Sequence, residues 1–356
     1  MNEDKYLKNL SDQSKKVSLS ENEKQIMKSE VLEFMKNNPM QGVNVGWSLW
    51  PIFQRPVLRY ASMVAVLSLV IFSGVSLAAN NSLPGDVLYP IKVGVNEKVL
   101  GLLQVSDESK AQYDIQLAET RLEEIEKVSS KENLNESTKA NISSLLNKHI
   151  EDAKKHSDKV GNQNNNNLSA QINSELEASL NAHKDILDEL SKEKDSRASE
   201  NIKEVLSNVN ENINKVKKDR QEGEDMISNK SSSDVQQSAE GKLKSAQNKI
   251  DEVSNFIEGK KSSLSSESYD SAKANIKLAN DTISQGQNEL QARNYGKSFS
   301  LFQKAIRIAQ QTKISIQASI NLEINVPGIK DQGEDGNGSD SQINSHNGQL
   351  KNLGIF

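Results

Sequence analysis

The chain has 356 residues, of which 35% are apolar and only 4% aromatic. This composition is too polar for one large compact core, and it suits long helices that each bury a narrow stripe. The 44 basic and 49 acidic residues nearly balance, whereas a nucleic-acid-binding protein needs a basic face, so we expect no nucleic acid as a partner. Because the chain contains no cysteine, disulfides, thiol catalysis and cysteine-based zinc sites are excluded.

Residues 1–56 contain one convincing helical pattern. Ser20 can cap the helix, with Glu23 three residues later in a capping-box arrangement, and the Asn37-Asn38-Pro39 sequence ends it. The helix is too short to fold alone. Two interpretations stay open: a spacer next to the membrane, or a cytoplasmic helix that docks a regulatory partner. Its partial apolar stripe consists of Ile26, Val31, Phe34 and Met35.

A charge-free apolar run extends from Tyr60 to Ala79 and reads YASMVAVLSLVIFSGVSLAA. Its length of about 20 residues is enough for a helix to cross a hydrocarbon core of about 30 Å. We therefore predict a transmembrane helix over residues 57–79. The alternative is a cleaved signal peptide that ends at Leu77-Ala78-Ala79, but a signal peptide starts with a short basic region and not with a long polar segment.

The orientation of this helix is predicted from its flanks. Cations are balanced between the two ends, with Arg55 and Arg59 on one side and Lys92 and Lys98 beyond the other. The two arginines lie closer to the apolar edge, beside an aromatic cluster at residues 47–53 of the kind that marks a membrane interface. We therefore expect a cytoplasmic N-terminus and an extracytoplasmic C-terminal region.

A cluster of turn residues follows the apolar run directly. Pro84-Gly85 is the favoured central pair of a type II turn, because Pro fixes φ and Gly accepts a positive φ. Asp86 can accept backbone N–H groups of the turn, and Pro90 suits the start of a new helix. We predict a structural elbow, without chemistry of its own, that directs the chain from the apolar run into the next helix. Its residues are Leu83, Pro84, Gly85, Asp86, Leu88, Tyr89, Pro90 and Lys92.

These residues resemble an uncharacterised bacterial family, the domain of unknown function, family 5667. The resemblance is carried by an apolar helix, the pattern LPGD-x-LYP-x-K, a following glutamate and a helix like LAETRLEE, and it covers roughly residues 80 to 160. It implies a membrane-anchored protein with the motif outside the cytoplasm. Some members have N-terminal regions reminiscent of anti-sigma factors, and no activity is implied. The matching residues are Leu83–Asp86, Leu88–Pro90, Lys92, Glu97 and Leu117–Glu124.

Beyond residue 105, apolar residues recur at spacings of three and four, which predicts amphipathic helices. Breaks near residues 130, 165, 195, 230, 262 and 292 separate these helices. Since each helix has a single apolar stripe, we expect neighbours to pair as antiparallel hairpins with coiled-coil-like seams. The seam residues are Ala111, Ile115, Ala118, Leu122 and Ile125; Ile142, Leu146, Ile150 and Ala153; Ile172, Leu176, Leu180, His183, Leu187 and Leu190; Ile202, Leu206, Val209, Ile213 and Val216; Ala239, Leu243, Ala246, Ile250, Val253 and Ile257; Ala272, Ile276, Ala279 and Ile283; and Phe299, Phe302, Ile306 and Ala309.

The predicted fold is therefore all-α, with one transmembrane helix followed by an elongated array of antiparallel helical hairpins. We divide the array into an LPGD/LYP helical domain (80–160), an Asn-rich linker (161–168) and a helical hairpin region (169–312), with a disordered tail at 328–356.

The segment 313–327 departs from this pattern. From Ile314 to Val326 every second residue is apolar, which is the period of a strand with one buried face. We favour an extended conformation, and three outcomes stay open. The preceding helix continues, the segment lies extended along the helices, or it pairs with a strand of another molecule.

The histidines do not form a convincing metal site. His149 and His156 lie seven residues apart, whereas zinc pairs on a helix more often use a spacing of four. Carboxylates lie near them at Glu151, Asp152 and Asp158. His183 lies in an apolar stripe, and we interpret it as a tolerated seam residue.

The carboxylates give no catalytic prediction either. Glu119, Glu123, Glu124 and Glu126 have the spacing of a helix surface, with Lys or Arg close by. The segment Asp335–Asp340 is similar to a calcium loop but lacks the glycine at the sixth position and the glutamate at the twelfth. We therefore predict no catalytic, cofactor or metal site and no small-molecule substrate.

Two functions follow from these patterns. The first is a single-pass protein of the cell membrane, not an enzyme, that presents an extracytoplasmic helical interaction domain to an unknown protein or cell-wall partner. The alternative is a transmembrane signalling regulator of anti-sigma type, in which the helix Ser20–Lys36 binds a cytoplasmic regulatory partner.

Overall fold

The structure is a computed structural model that describes Ser29 and residues 76–131, 134–192, 196–228 and 232–329. Every regular element in these ranges is helical, which confirms the all-α prediction. The elements are α1 (Tyr89–Ile91), a π-helical turn (Lys92–Asn96), α2 (Glu97–Leu102), α3 (Asp107–Lys131), α4 (Glu136–Asn162), α5 (Asn166–Lys192), α6 (Ser196–Ser228), α7 (Ser232–Lys260), a 3-10 turn (Lys261–Ser263), α8 (Ser266–Gln291) and α9 (Tyr295–Leu322).

Several predicted segments lie outside the described residues. Only residues 76–79 of the predicted transmembrane helix are described, and they are helical. Of the predicted N-terminal helix only Ser29 is described, and it is helical too. The calcium-like loop and the tail from residue 330 onward are also outside. Among the described helices, none combines the length and the apolar character that a membrane crossing requires.

The helical pattern of the sequence is confirmed. Each predicted break separates two helices, and the predicted seam residues are buried except for Leu243 and Ile306, which are half-buried. The Asn-rich linker is shorter than predicted, because only Gln163–Asn165 separate α4 from α5. Asn164 makes this tight reversal with a positive φ of 65°, a conformation that asparagine tolerates better than most residues.

Helices α3 to α6 pack around one core, so the predicted boundary at residue 161 does not separate two domains. Asp107 contacts His156 at 3.0 Å and Asp114 contacts His149 at 3.2 Å, and these paired numbers show that α3 and α4 are antiparallel. By contrast, Lys154 contacts Asp219 at 2.8 Å and Asn212 donates to Asn147 at 2.9 Å. The residue numbers of α4 and α6 thus increase in the same direction. The two helices are therefore parallel, as expected for helices that one intervening helix, α5, connects.

Helices α7, α8 and α9 form a second core, and α9 also joins the two groups. Contrary to the prediction that neighbours pair as hairpins, α7 packs mainly on α8 and α9 and not on α6. Helix α9 contacts α5 and α6 as well, through a buried set of charged groups. There Glu224 accepts from Arg220 at 2.7 Å and lies 3.6 Å from Arg307 on α9.

The predicted strand at 313–327 is wrong, because α9 continues to Leu322. Its alternating pattern arises from two interleaved stripes. Ile314, Ala318 and Leu322 pack on the first core, whereas Ile316 and Ile320 pack on the second. Residues spaced by four lie on one face of a helix, and an offset of two residues reaches the opposite face. A helix that packs on two cores with opposite faces therefore has the same alternating pattern of apolar residues as a strand.

Beyond α9 the chain lies along the helices, which was the second open outcome for this segment. Glu323 adopts the left-handed conformation with φ 56° and ends the helix. Ile324 and Val326 are buried in the first core, while Asn325 donates to Glu267 of α8 at 3.1 Å. The backbone N–H of Ile329 donates to Asn275 at 3.0 Å.

Two helical glycines give a matched test of the packing between α8 and α9. A Cβ at Gly286 would lie 2.6 Å from the ring of Phe302, which is fully buried, whereas a Cβ at Gly241 would meet nothing within 4 Å. We expect Gly286→Ala to lower the free energy of unfolding by about 1–3 kcal/mol through overpacking. The control Gly241→Ala should raise it by roughly 0.5–1 kcal/mol, because Ala is the better helix former. Urea unfolding followed by circular dichroism measures both, and equal effects would contradict the close contact.

Candidate functional site

The site is built where the predicted elbow meets α3. The backbone N–H of Asp86 donates to the Leu83 carbonyl at 2.9 Å, which closes a turn, and the Asp86 carboxylate accepts from the Leu83 N–H at 2.7 Å. Gly85 has a φ of 103°, which L-residues rarely adopt. The expected positive φ and the expected acceptor role of Asp86 are thus both observed.

The π-helical turn that follows places Asn96 inward. This side chain is buried and forms three hydrogen bonds: it donates to the Ser76 carbonyl and to Asn80 Oδ1, both at 2.7 Å, and accepts from Ser76 Oγ at 2.6 Å. Sequence reasoning missed Asn96, because a single asparagine in a short helix gives no pattern. Asn96 ties the last residues of the apolar run to the motif.

Five charged or hydroxyl-bearing side chains form the centre of the site, which we call the Tyr89–Arg121 network: Tyr89, Lys92, Glu97, Arg121 and Glu124. Arg121 is fully buried and donates to the Tyr89 hydroxyl at 2.6 Å, and it also binds Glu97 directly. Tyr89 in turn donates to Glu124 Oε2 at 2.7 Å, and Lys92 lies 2.6 Å from Glu124 Oε1. The network thus connects α1, the π-helical turn and α2 to α3.

The charges of the network balance, with two cations against two carboxylates. Burial, and next to it the negative charge of Glu124, raises the pKa of Tyr89 above its usual value, so the hydroxyl stays protonated and acts as a donor. Burial also raises the pKa of Glu97, although Arg121 opposes this shift. Lys92 and Arg121 lie 6.0 and 5.7 Å from the centre of the Tyr89 ring, within reach of a cation–π interaction. Because each charged group faces a partner, the network suits fixing geometry better than transferring protons.

The predicted elbow residues divide between two roles. Tyr89 and Lys92 enter the network, whereas Leu83, Gly85 and Asp86 form the turn. The interpretation of Glu124 and Glu126 as surface residues is wrong, because they are only 2% and 3% exposed. The spacing of apolar residues in α3 put Glu124 and Glu126 next to the apolar stripe and not in it. Their burial depends on Tyr89 and His183, which lie far away in the sequence.

A second buried pair lies between α3 and α5. His183 Nδ1 is 2.6 Å from Glu126 Oε1, and both side chains are 4% exposed. Burial alone would lower the pKa of His183, but the neighbouring carboxylate of Glu126 outweighs it, so the pKa is raised. The pair lines a cavity of about 70 Å³ together with Glu119, Glu123 and Lys127. His183 is therefore a partner between two helices and more than a tolerated seam residue.

Within the described ranges, one group of side chains could ligate a metal ion: Asp114, His149 and Asp152, between α3 and α4. His149 Nδ1 lies 3.2 Å from Asp114 Oδ1, and Lys148 donates to Asp152 at 2.7 Å. Asp114 and His149 thus pair between α3 and α4, whereas Asp152 pairs within α4. His156 is not part of this group and pairs with Asp107.

Two substitutions on α3 test the network. Arg121→Met leaves Glu97 and Glu124 buried with too few partners, and we expect it to lower the free energy of unfolding by about 3–5 kcal/mol. Lys127→Met removes a cation from a half-exposed pair with Glu123 on the same helix, and this control should change stability by at most about 0.5 kcal/mol. Hydrogen exchange of the amides at 83–102 measures the local effect. Equal protection in both variants would contradict the role of the network.

Two glycines with open surroundings test the turn. A Cβ added at Gly85 or at Gly94 would meet nothing within 4 Å, and only Gly85 has a positive φ. We expect Gly85→Ala to cost roughly 1–2 kcal/mol through backbone strain alone. Gly94→Ala, in the π-helical turn, should be neutral or stabilising by up to about 1 kcal/mol. Resistance of residues 83–128 to limited proteolysis ranks the variants, and the opposite ranking would overturn the assignment of the strain to Gly85.

Comparison with known proteins finds a family model that matches the part of the chain that contains this site. Residues 81–238 match the family model described as "Domain of unknown function (DUF5667)". The match contains the turn and the whole network, covers α1 to α6, ends in the first residues of α7, and so extends beyond residue 160, where the resemblance was expected to end. No curated protein and no solved structure matches the chain. Residues 81–238 are therefore similar to the domain-of-unknown-function family 5667.

Proposed function

We propose that this chain is a non-enzymatic, single-pass membrane protein that presents its helical region outside the cytoplasm as an interaction domain. Residues 57–79 are the anchor, and the N-terminal region is cytoplasmic. The partner outside is a protein or cell-wall material. The anchor is inferred from the sequence alone. The described residues support the proposal through the contacts that connect the end of the apolar run to the helical bundle.

The observation that carries the proposal is the way the motif holds the end of the apolar run. Ser76 lies inside the charge-free run, and it is bonded to Asn96 of the π-helical turn. Lys92 of this π-helical turn forms an ion pair with Glu124 of α3. Glu97, the first residue of α2, forms an ion pair with Arg121 of α3. A chain of hydrogen bonds and ion pairs therefore runs from the apolar run to the helical bundle.

The chemistry of the buried groups supports a non-enzymatic function. General acid–base catalysis needs a titratable group that can reach a substrate. In the Tyr89–Arg121 network the carboxylates face Arg121 and Lys92, and Arg121 is fully buried. These buried groups stabilise one arrangement of the helices. We therefore assign the binding of a partner to the surface of the bundle.

Cysteine labelling tests this topology, because the natural chain has no cysteine. Met226, on α6, and Ser29 are both exposed. We expect Met226→Cys to react with a membrane-impermeant maleimide in intact cells and Ser29→Cys to react only after lysis. Both variants should stay in the membrane fraction after an alkaline wash.

The possible contrary results are distinct. Labelling of Ser29→Cys but not Met226→Cys in intact cells would reverse the orientation. If neither variant reacts before lysis, the bundle is not outside the cytoplasm. Release of the chain from the membrane fraction by the alkaline wash would contradict the proposed anchor.

A further inference from the structure

Exposed apolar side chains collect in one short stretch of the chain. Nine large apolar residues are at least half exposed in the part of the chain that the structure describes, and eight of them lie between Leu77 and Val105. The ninth, Met226, stands apart on α6. Exposed apolar side chains that collect in this way mark an interaction site in many proteins. We call the following residues the apolar ledge: Val87, Val95, Val99, Leu100, Leu102, Leu103 and Val105.

The ledge faces outward because the Tyr89–Arg121 network fixes the opposite side of α2. Val95 on the π-helical turn and Val99 and Leu102 on α2 follow one another at spacings of four and three, so they lie on one side of this helical segment. Glu97 lies two residues from Val95 and Val99, on the other face, where Arg121 binds it. Gly101 also faces α3, since a Cβ there would lie 3.3 Å from the Tyr113 ring. The outward position of Val95, Val99 and Leu102 is therefore imposed by the buried contacts on the other side of this segment.

Two features indicate what covers the ledge. It follows within a few residues the charge-free run Tyr60–Ala79, and Leu77 of that run is itself 71% exposed. Between residues 87 and 106 the charged residues are Lys92, Glu97 and Lys98. The first two are held in the network, whereas Lys98 is exposed beside the ledge. An exposed apolar face next to a charge-free apolar run suits the boundary between acyl chains and headgroups.

The size of the ledge favours lipid over a second copy of the chain. A stable protein–protein interface uses about 20–30 residues on each side, and the ledge has seven. An already anchored chain needs much less contact with the bilayer, because its anchor keeps the ledge at a high effective concentration near the surface. We propose that the apolar ledge lies in the lipid–water interface of the membrane that anchors the chain. This inference rests on the proposed function.

Site-directed fluorescence tests the proposal in the full-length chain. The environment-sensitive dye NBD is attached to the single cysteine of Val99→Cys, Leu103→Cys or Met226→Cys, and each protein is reconstituted in vesicles of phosphatidylcholine and phosphatidylglycerol. Met226 is the matched control, because its exposure of 56% is close to the 54% of Val99. We expect NBD at 99 and 103 to emit at shorter wavelength than at 226. Nitroxides near the top of the acyl chains should quench these two positions, and aqueous iodide should quench them several-fold less than position 226.

Each other outcome overturns the proposal in its own way. If the chain floats with the vesicles but iodide quenches 99 and 103 as strongly as 226, the anchor stands and the ledge faces water. Protection from iodide without quenching by lipid nitroxides, lost on dilution of the protein in lipid, identifies a second copy as the occupant. If the chain does not float after an alkaline wash, the proposed anchor fails and the inference fails with it.

Discussion

The structure depends first on the burial of the Arg121 guanidinium. A buried charge without partners costs several kcal/mol, so α3 tolerates Arg121 at this position only if other segments supply anions and acceptors. Glu97 from α2 and Tyr89 from α1 do so, together with Glu124 from the same helix. The short segment 83–102 is too small to fold by itself, and its path over α3 follows from the need to neutralise this one group. Polar contacts of this kind select one arrangement, even where an apolar core of equal size would be as stable.

A similar constraint operates at the other end of the described region. Helix α9 places apolar residues on opposite faces and so belongs to both cores. Its Arg307 also reaches Glu224 of α6, and its Gln303 donates to the Ala170 carbonyl of α5 at 2.8 Å. The two groups of helices thereby share one element. The family match ends near residue 238, yet Ala318, Ile324 and Val326 complete the core of the matched part. Helix α9 and the segment that follows it therefore complete the core of the helices that precede them.

The contacts with α3 and the apolar ledge lie on two sides of the same short segment. Glu97 and Gly101 of α2 face α3, which leaves Val99 and Leu102 of α2 and Val95 of the π-helical turn outside. An exposed apolar face of this kind is typical of a surface that binds a partner or a membrane. Together with the hydrogen bonds between Ser76 and Asn96, this arrangement supports the proposal that the motif organises the chain at a membrane surface.

The sequence by itself determined the helical class, the six breaks and nearly every seam residue, because these depend on local spacing and on turn chemistry. It also determined the turn, since the positive φ at Gly85 is a property of four consecutive residues. Only the tertiary structure decided which polar residues are buried. Arg121, Glu124 and Glu126 lie at positions that look like helix surface until residues 24 or more positions away are placed against them. The alternation from Ile314 to Val326 predicted a strand because a sequence pattern indicates which residues are buried. The pattern does not indicate whether those residues are buried in one core or in two.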